Sequence, residues 1–163
     1  MLLAHQQTAL TFINTQDERT QWITLQIAMG LGKTRIGLGV EPDLYLCPAT
    51  TLLQVEQEQI TMNNTSCLVL SYQKARKQPF AGRVVVLDEC PIRISGTFAK
   101  KLQQARRIIA MTGNFKLPQP QFCTPVLFTY MDRALLPTIT HQTCAVYLTP
   151  EEQTAYRDEL AQC

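Results

Sequence analysis

Residues 22–34 read Trp22-Ile23-Thr24-Leu25-Gln26-Ile27-Ala28-Met29-Gly30-Leu31-Gly32-Lys33-Thr34, and this stretch decides the fold. Trp22 to Ala28 is an apolar run of strand type, and Lys33 to Val40 follows as a short helix. The glycine turn between them, Gly30-Leu31-Gly32, lets backbone N–H groups crowd around phosphate oxygens. A helix N-terminus adds positive potential, Lys33 has the reach for β- and γ-phosphates, and the Thr34 hydroxyl is a magnesium ligand. The strict pattern, G-x-x-x-x-G-K-[ST], has a small residue at its first position, and this chain has Ile27 there. A chance glycine-rich turn is the competing reading. The strand before and the helix after weigh against it.

Apolar runs and helical patterns alternate along the rest of the chain. Asp43 to Cys47 reads as a strand and Thr50 to Ile60 as a helix, with Leu52, Leu53, Val55 and Ile60 on its apolar side. Cys67 to Leu70 and Val84 to Leu87 read as strands, Phe98 to Gln104 as a helix, and Arg107 to Met111 as a further strand. Continuous Val/Ile/Leu runs are what parallel strands covered on both faces require. The alternation predicts a single α/β domain with a mainly parallel central sheet flanked by helices. Pro118, Pro120 and Pro125 mark a loop after that core. Thr138 to Thr149 then contains an extended segment, and Thr149-Pro150-Glu151-Glu152 is a helix start with Thr149 as N-cap.

Val84-Val85-Val86-Leu87-Asp88-Glu89 supplies a second signal, a buried strand ending in two carboxylates. An aspartate at such a strand end, across the sheet crevice from the phosphate loop, is placed to hold magnesium through water. The adjacent glutamate can polarise an attacking water as general base. Together with the loop, the pair makes a nucleoside triphosphate site the best reading.

Composition bounds the alternatives. The chain has 163 residues, of which 45% are hydrophobic and 17% charged, enough apolar material for one packed core and too much for a disordered chain. No stretch approaches the ~20 apolar residues of a membrane-spanning helix. No secretory signal is visible at Met1-Leu2-Leu3-Ala4-His5, so a cytoplasmic, or in a eukaryote or virus nuclear, protein is expected. The six cysteines are scattered without a C-x-x-C pair and read as reduced thiols. Net charge is +2, unevenly spread: residues 74–116 carry +8 and the remainder −6. A basic segment of that kind is either a polyanion-binding face or a set of solvated side chains. Trp22 reads as a strand anchor rather than a base-stacking platform.

The ordered motifs resemble a known family: the chain looks like the first RecA-like lobe of superfamily-two helicases of the Swi/Snf translocase type. His5-Gln6 before the helical Ala9-Leu10-Thr11-Phe12-Ile13 is similar to the family's glutamine motif, and Met29 to Thr34 to its motif I. Leu46-Cys47-Pro48-Ala49-Thr50 is similar to motif Ia, and Leu70-Ser71-Tyr72 to the next strand-end motif. Asp88-Glu89-Cys90 resembles motif II, a DEAD/DEAH-like box. Ala110-Met111-Thr112-Gly113-Asn114 is similar to motif III. Leu136-Pro137 and the segment from Tyr147 to Tyr156 look like an exit toward a second lobe.

The resemblance implies an ATP-binding lobe, residues 1–163, with a core over 1–150 and an exit helix over 150–163. ATP would be held by Gln6, Gly30, Leu31, Gly32, Lys33, Thr34 and Arg35, with Gln6 reading adenine. Magnesium would be held by Thr34 and Asp88, and Lys33, Asp88 and Glu89 would carry the hydrolysis. Nucleic acid, DNA with RNA not excluded, would meet Pro48, Ala49, Thr50, Ser71, Tyr72 and Lys74. A second RecA-like lobe, in cis or in trans, would complete the site, because motifs IV to VI and their arginine finger have no counterpart here. The family usually has histidine fourth in motif II where this chain has Pro91, which puts the coupling of hydrolysis to movement in question. The lack of long insertions suggests a compact viral or prokaryotic version. The alternative is a stand-alone binding or regulatory module with weak or no ATPase activity. A single-domain phosphatase of another phosphate-loop branch is disfavoured by the motif Ia and motif III resemblances.

Overall fold

The apolar runs become the strands of one sheet. The computed structural model describes residues 2–64, 66–91, 94, 96–113, 117–118, 120 and 122–130. Helix α1 (Ala4–Thr15) leads into β1 (Trp22–Ile27), α2 (Lys33–Gly39), β2 (Leu44–Cys47), a 3-10 turn (Ala49–Thr51) and α3 (Leu52–Thr61). Then come β3 (Leu68–Ser71), α4 (Tyr72–Ala75), β4 (Val84–Leu87), α5 (Gly96–Leu102), β5 (Arg107–Thr112) and β6 (Val126–Tyr130). The sheet order is β3-β2-β4-β5-β1-β6, and every pairing is parallel, with Trp22 opposite Ile108, Val86 opposite Ile109 and Tyr45 opposite Val86. All strand C-termini therefore share one rim.

The two-residue period of a strand divides the core into two layers. Ile23, Leu25, Ile27, Tyr45, Val86, Ile109 and Met111 face α1, α2 and α3. Trp22, Leu44, Leu46, Val85, Leu87, Ile108 and Ala110 pack with Ala75, Phe80 and Leu102 on the other side. Trp22 is fully buried, donates from its indole nitrogen to Thr24 Oγ1 at 3.0 Å and meets Phe122 edge-on, as a strand anchor should. Among the described residues no buried side-chain polar atom lacks a partner.

One local expectation needs correction, and two further elements were not expected. Leu53 and Ile60 are not on the apolar side of α3: they stand 67% and 75% exposed, while Val55 is buried and Leu52 and Met62 pack on the same core. Residues 52, 55, 59 and 62 follow the i, i+3, i+7 rule and define one face; 53 and 60 are heptad partners about 100° away. Directly after Pro125 the chain rejoins the sheet as β6, an unforeseen edge strand with Ile23 opposite Val126. A proline just before an edge strand removes no ladder hydrogen bond, so it does not break the pairing. Finally, Tyr72–Ala75 forms an unforeseen helical turn, capped by Ser71. The extended segment expected over 138–149 and the helix expected after Thr149 lie outside the described residues.

Candidate nucleotide and metal site

The glycine turn leaves β1 at the shared rim and enters α2. Gly30 and Gly32 have φ of +81° and +72°, and Gly32 is the N-cap of α2; a side chain at residue 32 would also collide with Gln6. Asp88 and Glu89 follow β4 at the same rim. Strand β5 runs between β4 and β1, and its C-terminal end carries Gly113, where a Cβ would stand 3.3 Å from Lys33 Nζ. The missing side chain leaves the lysine room to cross. Lys33 Nζ lies 3.4 Å from Glu89 Oε1, with the lysine only 9% exposed.

The turn after β4 is pinned from several sides. Asp88 N–H donates to Leu46 O at 2.7 Å and Cys90 N–H to Met111 O at 2.9 Å. The Tyr72 hydroxyl donates to Asp88 O at 2.8 Å. Glu89 itself has φ of +48°, a region that costs a non-glycine residue roughly 1–2 kcal/mol and persists only where surroundings impose it. Here they do, and the result aims Glu89 at the loop. Asp88 is buried, at 6% exposure. Burial raises its carboxyl above the usual range and Glu89's charge adds to this, while the Tyr45 hydroxyl, Lys33 and the Glu89 N–H oppose the shift.

Thr34 and Asp88 offer hard oxygen donors, and the Tyr45 hydroxyl donates to Asp88 Oδ2 at 2.9 Å. That donor set fits magnesium, which is ordinarily held by one or two protein oxygens plus phosphates and water rather than by an all-protein cage. Among the described residues no group of three His, Cys, Asp or Glu is assembled.

This architecture has a counterpart among solved structures. The chain is similar to the Sulfolobus solfataricus SWI2/SNF2 ATPase core in complex with dsDNA, with a TM-score of 0.58 and 18% identity over 70% of this chain. The fold is RecA-like. The match spans 32% of that longer chain, and at this identity it is a likeness of fold. No protein-family model and no curated protein matches the sequence. No helix among the described residues is long and apolar enough to cross a membrane.

The remaining expected ATP residues behave differently from one another. Gln6 is 2% exposed; its Nε2 donates to Leu31 O at 3.3 Å and its Oε1 accepts from Leu3 N at 2.9 Å. One amide hydrogen and one lone pair stay available for a base. Beside it, Leu3, Ala4, His5, Gly30, Leu31 and Tyr130 line a cavity of about 310 Å³. A larger cavity, about 350 Å³, lies among Asn14, Glu18, Arg106 and Arg107 at the opposite end of the sheet, remote from this chemistry. Arg35 is turned away from the loop: its Nε sits 2.6 Å from Glu58 Oε1 on α3, and its backbone N–H bonds Gly32 O.

The expected nucleic-acid residues occupy the β2–β3 half of the rim. Pro48 is half-buried, and Ala49, Thr50 and Lys74 are exposed. Ser71 is buried and caps α4 by accepting from Lys74 N. Tyr72 is spent on Asp88 O and packs edge-on against Phe98.

Sequence reasoning did not single out Tyr45 or Tyr130, and it named Gly113 only within the motif III resemblance. His5 bonds Leu31 O at 2.9 Å and stacks on Tyr130 at 5.3 Å between ring centroids. For Tyr45 there was one usable signal: a tyrosine inside a fully buried strand must find a partner for its hydroxyl.

Proposed function

We propose that this chain is the ATP-binding lobe of a nucleic-acid helicase or translocase of the superfamily-two type, with DNA as the partner. The observation that carries the reading is the meeting of Lys33, Asp88 and Glu89 across the end of β5. The similarity in fold to a SWI2/SNF2 ATPase core, itself in complex with dsDNA, supports the choice of polymer.

In this reading the backbone N–H groups of residues 30–34 receive the phosphates and Lys33 takes the β- and γ-phosphate charge. Gln6 reads the base edge above the cavity lined by His5 and Tyr130. Thr34 and Asp88 would hold magnesium, which when bound neutralises charge on the phosphate oxygens. Glu89 accepts the proton of the attacking water. The ion pair with Lys33 engages that same carboxylate, so arrival of a phosphate, by drawing the lysine away, frees the base. Nucleotide binding and base activation thereby become one event.

A second lobe, in cis or in trans, would supply the arginine finger, whose contribution is worth about 10³–10⁵ in rate. Residues 1–163 alone are therefore expected to bind nucleotide weakly and hydrolyse it slowly. Lys33→Ala tests the core of the reading. Calorimetry should show loss of magnesium-ATP binding with an unchanged fold, because the ammonium pairs with Glu89, which is itself partly exposed, at the sheet rim. Equal affinity of variant and parent would remove the basis of the proposal.

A further inference from the structure

Tyr45 belongs to none of the motif positions, yet its hydroxyl meets Asp88, one of the two side chains assigned to magnesium. It lies within β2 opposite Val86 of β4, with its ring fully buried. The ring reaches the site by passing under α2, where a Cβ on Gly37 would come within 2.8 Å of a Tyr45 ring carbon. Glycine is unfavourable inside a helix, and this contact gives its presence a cause.

The hydroxyl donates to Asp88 Oδ2 at 2.9 Å. Asp88 Oδ1 accepts from Glu89 N–H at 3.0 Å. Each carboxylate oxygen therefore has a fixed donor, and the group cannot rotate without losing both.

We propose that Tyr45 is a positioning residue of the metal–nucleotide site: its hydroxyl fixes the orientation of the Asp88 carboxylate and thereby sets how tightly the nucleotide-loaded chain holds magnesium. The inference rests on the nucleotide reading above and deepens it. An apolar residue at 45 would satisfy the sheet equally well, so only the hydroxyl is at issue.

The experiment compares the parent chain with Tyr45→Phe, which keeps the ring and its packing. Binding of a fluorescent ATP analogue is followed first without metal and then through a magnesium titration. Metal-free affinity should stay within about twofold, while the magnesium midpoint should rise about 10- to 150-fold, the range for one lost hydrogen bond to a charged group. A merely structural tyrosine would lower the melting temperature and leave the midpoint where it was. Tyr45→Met, apolar and flexible, serves if the phenylalanine variant does not fold. A parent that binds nucleotide with magnesium, together with folded variants of unchanged midpoint, overturns the role of Tyr45 alone. A parent without magnesium-dependent binding overturns the functional reading and this inference with it.

Discussion

The two halves of the strand rim are built on opposite principles. On the half formed by β1, β5 and β4, three charged side chains lie close together: Lys33 and Asp88 are buried and Glu89 is partly so, with Lys33 and Glu89 paired at only 3.4 Å. On the half formed by β2 and β3, the polar side chains are consumed internally. Ser71 caps a helix and Tyr72 braces the Asp88 carbonyl, leaving Thr50 and Lys74 to face solvent. In the proposed nucleotide reading the first half holds charge in reserve for a ligand that can replace one member of a pair. In the same reading the buried side chains of the second half act as a wall that keeps the first in shape.

The largest expected effect comes from breaking the charged half. Glu89→Gln keeps shape and hydrogen-bonding reach but removes the base, so hydrolysis by a two-lobe fusion should fall about 10²–10⁴-fold. Nucleotide affinity should hold or rise, since Lys33 no longer has a competing carboxylate. Steady-state turnover and analogue binding measured on the same preparation separate the two effects. Retained turnover would mean that another group orients the water.

That contrast between the halves was only partly legible in the sequence. Gly30 to Thr34 and Asp88-Glu89 could be read because phosphate chemistry needs those residue types at those strand ends, and apolar runs such as Val84 to Leu87 needed only a propensity argument. The role of Tyr45 was not legible, because a strand tyrosine looks the same whether its hydroxyl meets water or a carboxylate from a distant segment. Arg35 beside Lys33 reads as part of the loop, yet its partner Glu58 comes from another helix. Strand β6 was hidden by its prolines, and the outward turn of Leu53 and Ile60 by a count of apolar residues that ignored their angle. In each case the deciding contact is long-range, which a local pattern does not encode.

A smaller effect tests whether the second half is indeed a wall. Tyr72→Phe removes the donor to Asp88 O while keeping the ring against Phe98. An unsatisfied buried acceptor costs about 1–3 kcal/mol, so the urea midpoint should drop while binding of a fluorescent oligonucleotide changes little. A variant of parental stability with weakened oligonucleotide binding would instead make Tyr72 a contact residue, and the two halves would no longer differ in kind.

The smallest effect concerns the basic segment, whose side chains the fold sorts by position. Arg83 and Arg106 directly precede β4 and β5, and Arg107 opens β5, so these three sit at the end of the sheet away from the rim. Arg107 also donates to Gln16 O and Asp17 O. Lys101 is held by the carbonyls of Arg76 and Gln78. Lys74, Arg76, Lys77 and Lys100 remain exposed, whereas Arg93 and Lys116 lie outside the described residues. If the β2–β3 side tracks a nucleic-acid backbone, the lobe should bind DNA weakly, without sequence preference and with strong salt dependence. Each neutralised phosphate adds roughly −0.7 to −0.9 to the log–log slope. Replacing Lys74, Arg76 and Lys77 together should flatten that slope by about one to two phosphate equivalents. Replacing Lys100 and Lys101 should do less, because Lys101 is already engaged, and replacing Arg83 and Arg106 should do nothing. Salt titrations of the three variants read this order directly. A parent with no salt-dependent binding would make the segment a solvated face and favour a lobe that acts through protein contacts; equal slopes in all three variants would remove the link between rim position and DNA.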